Sequence, residues 1–347
     1  MRVERVTPGK RAPARLTGSI LARDLTIGGE RWAKGRRLTA ADLLALAASD
    51  PADPVSVLIA EGGELHEDDA ALRLAAAVAG PGLTMRGPAQ SRVDLLAESY
   101  GVANVRVADL ERVNRIDPLE VFTVFDGQVV EPGDLVASVK VAPHLVDAAT
   151  VDAGARLAGF GSNPLVWVAP FRPRRVGVIV KESVRATVRE RFEASVRAKI
   201  EGLGSTVVAI DYVEDDPDAV EAALAALVRA PDPVELILTA GAASTDPLDA
   251  CFLAIAALGG RVVRRGVPAH PGSMLWLARI GRTAILGLPT CGAYSKATAA
   301  DLLLPRLLSG EDASERTVAK LGHGGILTRS QRFRFPAYAR ELDAPDG

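Results

Sequence analysis

From residue 176 onward, short apolar runs alternate with amphipathic helical patterns. The run Val176–Val180 is apolar throughout, which is typical of a parallel strand that is covered on both faces. An apolar residue at every fourth position then predicts a helix with one buried face; these residues are Val184, Val188, Phe192, Val196 and Ile200. Later strands are predicted at about 206–210, 234–239, 274–280 and 283–288, and later helices at about 217–229, 247–258 and 296–308. This alternation predicts a three-layer α/β domain with a mostly parallel sheet.

The loops at the carboxyl ends of such strands are where ligands bind. Three predicted loops lie at this edge, at 181–183, 240–246 and 289–296. After the second loop, Pro247 suits a first helical position, Asp246 suits the N-cap, and Asp249 lies three residues after that cap. A helix N-terminus exposes unpaired N–H groups beside a positive dipole end, which suits a phosphate. The two carboxylates suggest that a metal or a polar ligand group is bound there as well.

The chain before residue 169 is predicted to form a smaller, β-rich α+β region over residues 18–168. Residues 1–17 are rich in Pro and Arg and are predicted to be loose. Thr39 and Asp42 have the spacing of a capping box and predict a helix from residue 40 to 48. Residues 169–175 contain two prolines and three arginines, which predicts an extended, solvated linker. The α/β domain is then expected over 176–312, followed by a C-terminal extension over 313–347.

Composition and charge exclude several classes of protein. A net charge of −2 gives no electrostatic basis for binding nucleic acid. No segment approaches the roughly 20 uncharged apolar residues of a membrane span, and the charged N-terminus lacks the apolar stretch of a signal peptide. The two cysteines, Cys251 and Cys291, form no C-x-x-C motif and indicate a reducing compartment. The expectation is therefore a soluble, cytoplasmic protein.

The order of motifs in the C-terminal half resembles the molybdopterin-binding domain of molybdenum cofactor biosynthesis proteins, which molybdopterin adenylyltransferases and molybdotransferases share. Residues 236–249 stand where that family has its T-G-G-x-S/T-x-G-x-x-D turn, residues 266–272 at its P-G-K-P loop and residues 287–289 at its G-L-P-G-N-P loop. Lys181-Glu182-Ser183, the 169–175 segment, Cys291 and Lys296 are similar to a divergent branch of the family, whose domain is often fused to a cytidylyltransferase.

The resemblance implies a site for molybdopterin, an anionic pterin with a dithiolene and a terminal phosphate. It implies that Asp249 orients or activates the phosphate and holds Mg²⁺, with Asp246 as a second catalytic candidate. Molybdate is a further implied ligand. The residues implied to contact the pterin are Lys181, Gly241, Ala242, Ser244, Pro271, Gly272, Gly287, Pro289, Cys291 and Lys296.

Each of these residues also has a structural interpretation. An acid at the third position of a helix is ordinary capping chemistry, which applies to Asp249, and Asp246 is an N-cap before it is a ligand. Lys181 suits a phosphate and a solvated loop equally well, and Cys291 suits a reactive thiol and a small buried side chain equally well. Lys296, just inside a predicted helix N-terminus, opposes the helix dipole, which favours a nearby anion.

Two hypotheses for function follow from the resemblance. The first is a transferase of molybdenum cofactor biosynthesis that acts on the pterin phosphate or inserts molybdate. The second is a non-catalytic carrier that passes the cofactor to a molybdoenzyme, and it is favoured by Ala242 in place of the family's second glycine and by the absence of the P-G-K-P lysine. An unrelated nucleotide-binding protein ranks last because the chain has no P-loop and no G-x-G-x-x-G motif. The expected partners are a second copy of the chain and either a separate nucleotidyltransferase or a molybdoenzyme.

Overall fold

The computed structural model describes residues 1–161, 164–181, 186–242, 244–288 and 297–340. The chain divides into two compact units. The first comprises Met1–Glu98, Val105–Asp126 and Pro132–Val168, and the second comprises Ser99–Asn104, Gly127–Glu131 and the chain from Ala169 onward. Two short segments of the N-terminal half are therefore part of the second unit.

Strands predominate in the N-terminal half of the chain. Its elements are β1 (Arg2–Val6), β2 (Ile20–Leu21), β3 (Leu25–Ile27), β4 (Glu30–Trp32), α1 (Ala40–Ala48), β5 (Val55–Ile59), β6 (Glu64–His66), α2 (Glu67–Val78), β7 (Leu83–Ala89), β8 (Arg92–Ala97), β9 (Gly101–Val105), α3 (Val107–Asn114), β10 (Leu119–Thr123), β11 (Val129–Val130), β12 (Leu135–Val141), β13 (Leu145–Asp147), α4 (Ala148–Ala158) and β14 (Val166–Pro170). Within the first unit, β10, β12, β8 and β7 form an antiparallel sheet in that order. The predicted β-rich region is confirmed.

The first unit differs from its prediction at its N-terminus. The helix α1 has the predicted capping box, in which Thr39 and Asp42 bond each other's backbone N–H groups. The expectation of a loose segment over residues 1–17 is wrong, because β1 pairs with β5 along its whole length. Val6 and Leu16 are buried in the same apolar cluster. Burial of these two side chains is what orders a segment whose other residues are mostly charged or small.

A carboxylate of the first unit lies among three hydrogen-bond donors. Asp94 accepts hydrogen bonds from Arg86 (2.9 Å), Arg92 (2.7 Å) and the Ser138 hydroxyl (2.6 Å). Burial works to raise the pKa of Asp94, but these hydrogen bonds to the charged form lower it to about 2. The side chain ties neighbouring strands of the antiparallel sheet together, because Arg86 belongs to β7 and Ser138 to β12.

The second unit contains the predicted α/β arrangement. Its elements from residue 175 onward are β15 (Arg175–Val180), α5 (Ala186–Glu201), β16 (Thr206–Tyr212), α6 (Pro217–Val228), β17 (Leu236–Ala240), α7 (Ala250–Ala257), β18 (Arg261–Arg265), β19 (Trp276–Ile280), β20 (Thr283–Leu288), α8 (Ala299–Leu308), α9 (Glu315–Ala319) and α10 (Ala337–Arg340). The sheet order is β16-β15-β17-β20-β19-β18. The first four strands are parallel, and β19 and β18 are antiparallel additions.

Both faces of this sheet are covered by apolar side chains. Val178, Leu238 and Leu286 lie in one buried cluster, and Ile179 and Ile237 lie in the cluster on the other face. The strands are therefore apolar in successive residues rather than in alternate ones. This confirms the predicted α/β fold class with a mostly parallel sheet. No described helix has both the length and the apolar composition needed to cross a membrane.

The segment 169–175 is not the free linker that its composition predicts. Ala169 and Pro170 end β14, and Arg175 begins β15. Arg174 donates from Nε to the carbonyl oxygen of Leu308, 3.0 Å away at the end of α8. The guanidinium thus satisfies a carbonyl that the helix leaves unpaired, and this ties the segment to α8 within the second unit.

Candidate functional site

The carboxyl ends of three neighbouring parallel strands meet at one edge of the second unit. Val180 of β15 is in register with Ala240 of β17, and Ala240 is in register with Leu288 of β20. The backbone N–H of Lys181 donates to the carbonyl oxygen of Ala240 (2.9 Å), so the pairing continues one residue past β15. This is the edge that was predicted to bind a ligand, and the strands that the three predicted loops follow, β15, β17 and β20, are neighbours in the sheet.

A buried lysine lies at the centre of this edge. Lys181 Nζ is 2.7 Å from Asp249 Oδ2 and 2.8 Å from Asp215 Oδ1. Lys181 and Asp249 are each only 5% exposed, whereas the Asp215 side chain is 66% exposed. The structure therefore brings together two of the predicted site residues, and it shares one ammonium between a buried carboxylate and a carboxylate in water.

Asp215 was not predicted as a site residue. It follows β16, the parallel strand at the edge of the sheet beside β15. Asp215 therefore lies at another carboxyl end on the same edge. The rule that ligands bind at these strand ends, applied to β16, identifies it. This segment was predicted only as the start of a helix, and the helix does begin there, with Asp216 as the N-cap of α6.

The charge on Lys181 is held in place by its two partners. Burial works to lower the pKa of Lys181, but hydrogen bonds to Asp215 and Asp249 outweigh it and raise that pKa above its usual value. Cys251, two residues after Asp249, is fully buried. Burial, with the charge of Asp249 second, raises the pKa of its thiol to about 12. This thiol is therefore protonated at neutral pH, as expected for a core cysteine.

The capping arrangement before α7 differs from the prediction. Asp249, not Asp246, is the N-cap: its Oδ1 accepts from the backbone N–H of Cys251 (2.9 Å), and the helix begins at Ala250. Asp246 instead accepts from the N–H of Leu248 (2.9 Å), which closes a local turn. The helix α7 therefore begins at Ala250 and not at Pro247, where it was predicted to begin.

The small-residue loop after β17 contains one position that requires glycine. Gly241 has φ of +92°, a conformation that L residues rarely adopt. Ala242, the next residue, is half-buried against the apolar cluster on the α7 face of the sheet. Ser244 is buried, and its hydroxyl lies 3.9 Å from Met274 Sδ. The hydroxyl of Ser244 thus has a weak acceptor, which a better acceptor would replace at little cost.

Three other predicted contact residues have structural roles. A Cβ on Gly287 would lie 1.9 Å from Trp276 Cε2, so the indole ring occupies the space above this glycine. Gly272 has φ of +111°, and a Cβ there would lie 2.8 Å from the backbone nitrogen of Ala299. The carbonyl oxygen of Pro271 accepts from that same nitrogen (2.9 Å) and satisfies an unpaired N–H at the start of α8. Whether any of them also contacts a ligand stays a prediction.

The third predicted loop is outside the residues that the structure describes. Pro289, Cys291 and Lys296 all belong to it. The helix that was predicted to begin at residue 296 begins at Ala299, with Thr298 and Asp301 as a capping box. That box has the same spacing as the one before α1 and is readable in the sequence.

The metal-binding role of Asp249 stays a prediction. Its two oxygens accept from Lys181 Nζ and from the N–H of Cys251. Across residues 1–161, 164–181, 186–242, 244–288 and 297–340, no group of three His, Cys, Asp or Glu side chains is arranged to hold a metal ion. A cation is nevertheless present at the edge, and it is the Lys181 ammonium.

Comparison with known proteins identifies a domain family. Residues 176–309 match the model of a family described as a probable molybdopterin binding domain. Among solved structures, the chain is similar to the molybdopterin biosynthesis enzyme MoaB from Thermus thermophilus, with 23% identity, a TM-score of 0.30 and coverage of 41% of this chain and 99% of that one. It is also similar to the molybdopterin biosynthesis protein MoeA from Pyrococcus horikoshii, with 15% identity, a TM-score of 0.30 and coverage of 75% of this chain and 81% of that one. No curated protein sequence matches. The matched segment contains the whole Lys181–Asp215–Asp249 cluster.

Proposed function

We propose that the protein acts as a transferase of molybdenum cofactor biosynthesis through residues 176–309, the segment that matches the model of the probable molybdopterin binding domain. The proposed reaction is at the phosphate of molybdopterin or is the insertion of molybdate into its dithiolene. The observation that carries the proposal is the Lys181–Asp249 pair at the carboxyl edge of the parallel sheet. It supplies one cation and one carboxylate at the place where ligands of this fold bind.

The residues present suit an anionic ligand. The Lys181 ammonium has three N–H donors, and the described contacts use two of them, to Asp215 and to Asp249. A phosphate monoester has three acceptor oxygens and more negative charge than a carboxylate, and it would displace the exposed Asp215 from the ammonium. The left-handed backbone at Gly241 lets the chain turn close to such a ligand. Asp249 would remain in place and hold the ammonium towards the phosphate.

One observation favours a carrier instead of an enzyme. Asp249 accepts from the N–H of Cys251 as an N-cap and from Lys181 as an ion-pair partner. A carboxylate with these two structural partners holds α7 against β15 whether or not it takes part in chemistry. The alternative proposal is therefore a non-catalytic protein that holds the cofactor and delivers it to a molybdoenzyme.

The ligand is tested first. We would purify the protein from a host that makes the cofactor, oxidise it to release the fluorescent pterin, and measure pterin and molybdenum per chain. A pterin content near one per chain supports the proposal, and the molybdenum content tells whether the bound form precedes or follows metal insertion. Absence of pterin, together with no binding of added molybdopterin, would refute both the transferase and the carrier.

A pair of variants then separates the enzyme from the carrier. Asp249→Asn keeps an N-cap oxygen but removes the charge beside Lys181. Asp216→Asn makes the same change at the N-cap of α6, where the carboxylate accepts only backbone hydrogen bonds in the described contacts. A transferase predicts that Asp249→Asn retains the pterin and stops cofactor maturation, with Asp216→Asn unchanged. A carrier predicts weaker binding and a proportional loss of delivery.

The partners and the compartment are proposed on the same premise. We propose that the protein works in the cytoplasm as a homo-oligomer and exchanges the pterin with a separate nucleotidyltransferase or with a molybdoenzyme. Size-exclusion chromatography with light scattering tests the oligomeric state, and a pull-down from the native host tests the partner.

A further inference from the structure

We propose that the Lys181 ammonium takes the place of a divalent cation in this site, so that the site binds its anionic ligand without Mg²⁺. The ammonium bridges a buried and an exposed carboxylate, at 2.7 Å from Asp249 and 2.8 Å from Asp215. Two carboxylates around one point are the usual anchor of a bound Mg²⁺. Here that point is occupied by a group that belongs to the chain.

A metal ion cannot share this position with Lys181. Mg²⁺ requires carboxylate oxygens at about 2.0–2.1 Å in octahedral geometry, and the Asp249 oxygen that faces the site already contacts the ammonium. A divalent ion on this Asp249 oxygen would therefore lie against a positive charge at a buried position. The other Asp249 oxygen faces the N–H of Cys251 at the start of α7. Binding of a metal would require Lys181 to leave both carboxylates.

The ammonium is also placed as a fixed part of the fold. The backbone N–H of Lys181 is bonded to β17, and its side chain is buried. Its hydrogen bonds to Asp215 and Asp249 keep its pKa raised despite burial, so the charge persists at neutral pH. A bound metal can be removed by a chelator, but this cation cannot.

The net charge of the cluster indicates how it receives an anion. Lys181 carries one positive charge, and Asp249 and Asp215 carry one negative charge each. Asp215 is the exposed member, so an arriving phosphate can take its place on the ammonium while Asp215 moves into water. The exchange keeps the ammonium paired throughout, so no charge is left buried alone. The identification of the anion as the phosphate of molybdopterin rests on the function proposed above. The exclusion of a metal ion does not rest on that function.

The metal half of the inference is tested with Mn²⁺ alone, by electron paramagnetic resonance titration of the apo protein. In the wild type we expect no Mn²⁺ binding that depends on Asp249, so Asp249→Asn should leave the titration unchanged. Lys181→Met frees the two carboxylates and is expected to gain a Mn²⁺ site, with an affinity at least tenfold above the non-specific Mn²⁺ binding of the wild type. Lys320→Met serves as control, because it removes an ammonium from a carboxylate of Glu311 at the surface. One Mn²⁺ per wild-type chain, lost in Asp249→Asn, would overturn the inference.

The ligand half is tested with molybdopterin in EDTA and in Mg²⁺. The wild type is expected to bind equally well in both, and Lys181→Met is expected to lose at least tenfold in affinity in EDTA, which is about 1.4 kcal/mol. Loss of wild-type binding in EDTA would contradict the inference. Lys181→Arg keeps the charge and should gain no Mn²⁺ site; should Lys181→Met fail to fold, the wild-type measurements in Mn²⁺ and EDTA still decide. No pterin binding under any condition would refute the proposed function and leave the Mn²⁺ result standing.

Discussion

The buried ion pair between α5 and α8 gives the sharpest stability prediction for the second unit. Lys199 and Asp301 are 2% and 0% exposed, and the Lys199 ammonium donates to Asp301 Oδ1. The other Asp301 oxygen accepts from the backbone N–H of Thr298 (2.8 Å) and completes the capping box of α8. The pair thus links two helices that are about a hundred residues apart in sequence (|i−j| of 102).

Replacing Lys199 with Met keeps most of the side-chain volume but leaves the Asp301 carboxylate buried without its cation. Breaking a buried ion pair from one side costs about 3–5 kcal/mol, and we expect a loss in that range. In the double variant Lys199→Met/Asp301→Asn, no buried charge remains, and the Asn oxygen can still accept from Thr298. Its expected loss is about 1–3 kcal/mol, the cost of imperfectly satisfied polar groups.

The assay is urea unfolding at neutral pH, with the free energy of unfolding obtained by linear extrapolation. Lys320→Met is the control for removing a surface lysine from its carboxylate partner, and it should change stability by less than about 1 kcal/mol. The result that would refute the reasoning is a double variant that is less stable than Lys199→Met alone. In that case the carboxylate, not the charge pairing, would carry the stability.

Three further predictions concern glycine packing, acid stability and thiol reactivity. Gly287→Ala should cost about 1–3 kcal/mol of unfolding free energy because its methyl overlaps the Trp276 indole; the same change in a Trp276→Leu background should cost less, and equal costs would contradict this. The pKa of Asp94, about 2, lies below its ordinary 3.8, so its contribution is complete above about pH 4 and is lost as pH falls through about 2. Asp94→Asn should therefore be about 1–2 kcal/mol less stable than the wild type near neutral pH. Urea titrations at low pH should show this difference in unfolding free energy closing, and a difference that stays constant with pH would contradict the prediction. In a Cys291→Ser variant, the buried Cys251 thiol, with a pKa of about 12, should resist iodoacetamide until urea unfolds the chain, and alkylation of the folded protein would refute that.

Local patterns in the sequence predicted the regular elements well. The capping box of α1 and the strand at 283–288 appear with the predicted bounds. Continuous apolar runs predicted strands covered on both faces, and the sheet has that arrangement. These features depend on neighbours a few residues apart, which the sequence displays directly. The strand β18 (Arg261–Arg265) was missed because its polar composition hides an edge strand.

The site was only partly predictable, because its contacts join residues that are far apart in the sequence. The strand-end rule indicated the edge and two of its residues, Lys181 and Asp249. It did not indicate their contact, because a hydrogen bond between positions with |i−j| of 68 exists only once β15 and β17 are paired in register. Asp215 joined them only through the position of β16 beside β15.

By itself, therefore, the sequence determined the fold class and predicted a binding edge and an anionic ligand. Those properties follow from periodicity, turn residues and the direction of parallel strands. The tertiary structure alone decided that Asp249 caps α7 and that the cation beside it is a lysine. A carboxylate takes its role from the nearest donor in space, and the order of strands in the sheet decides which donor that is.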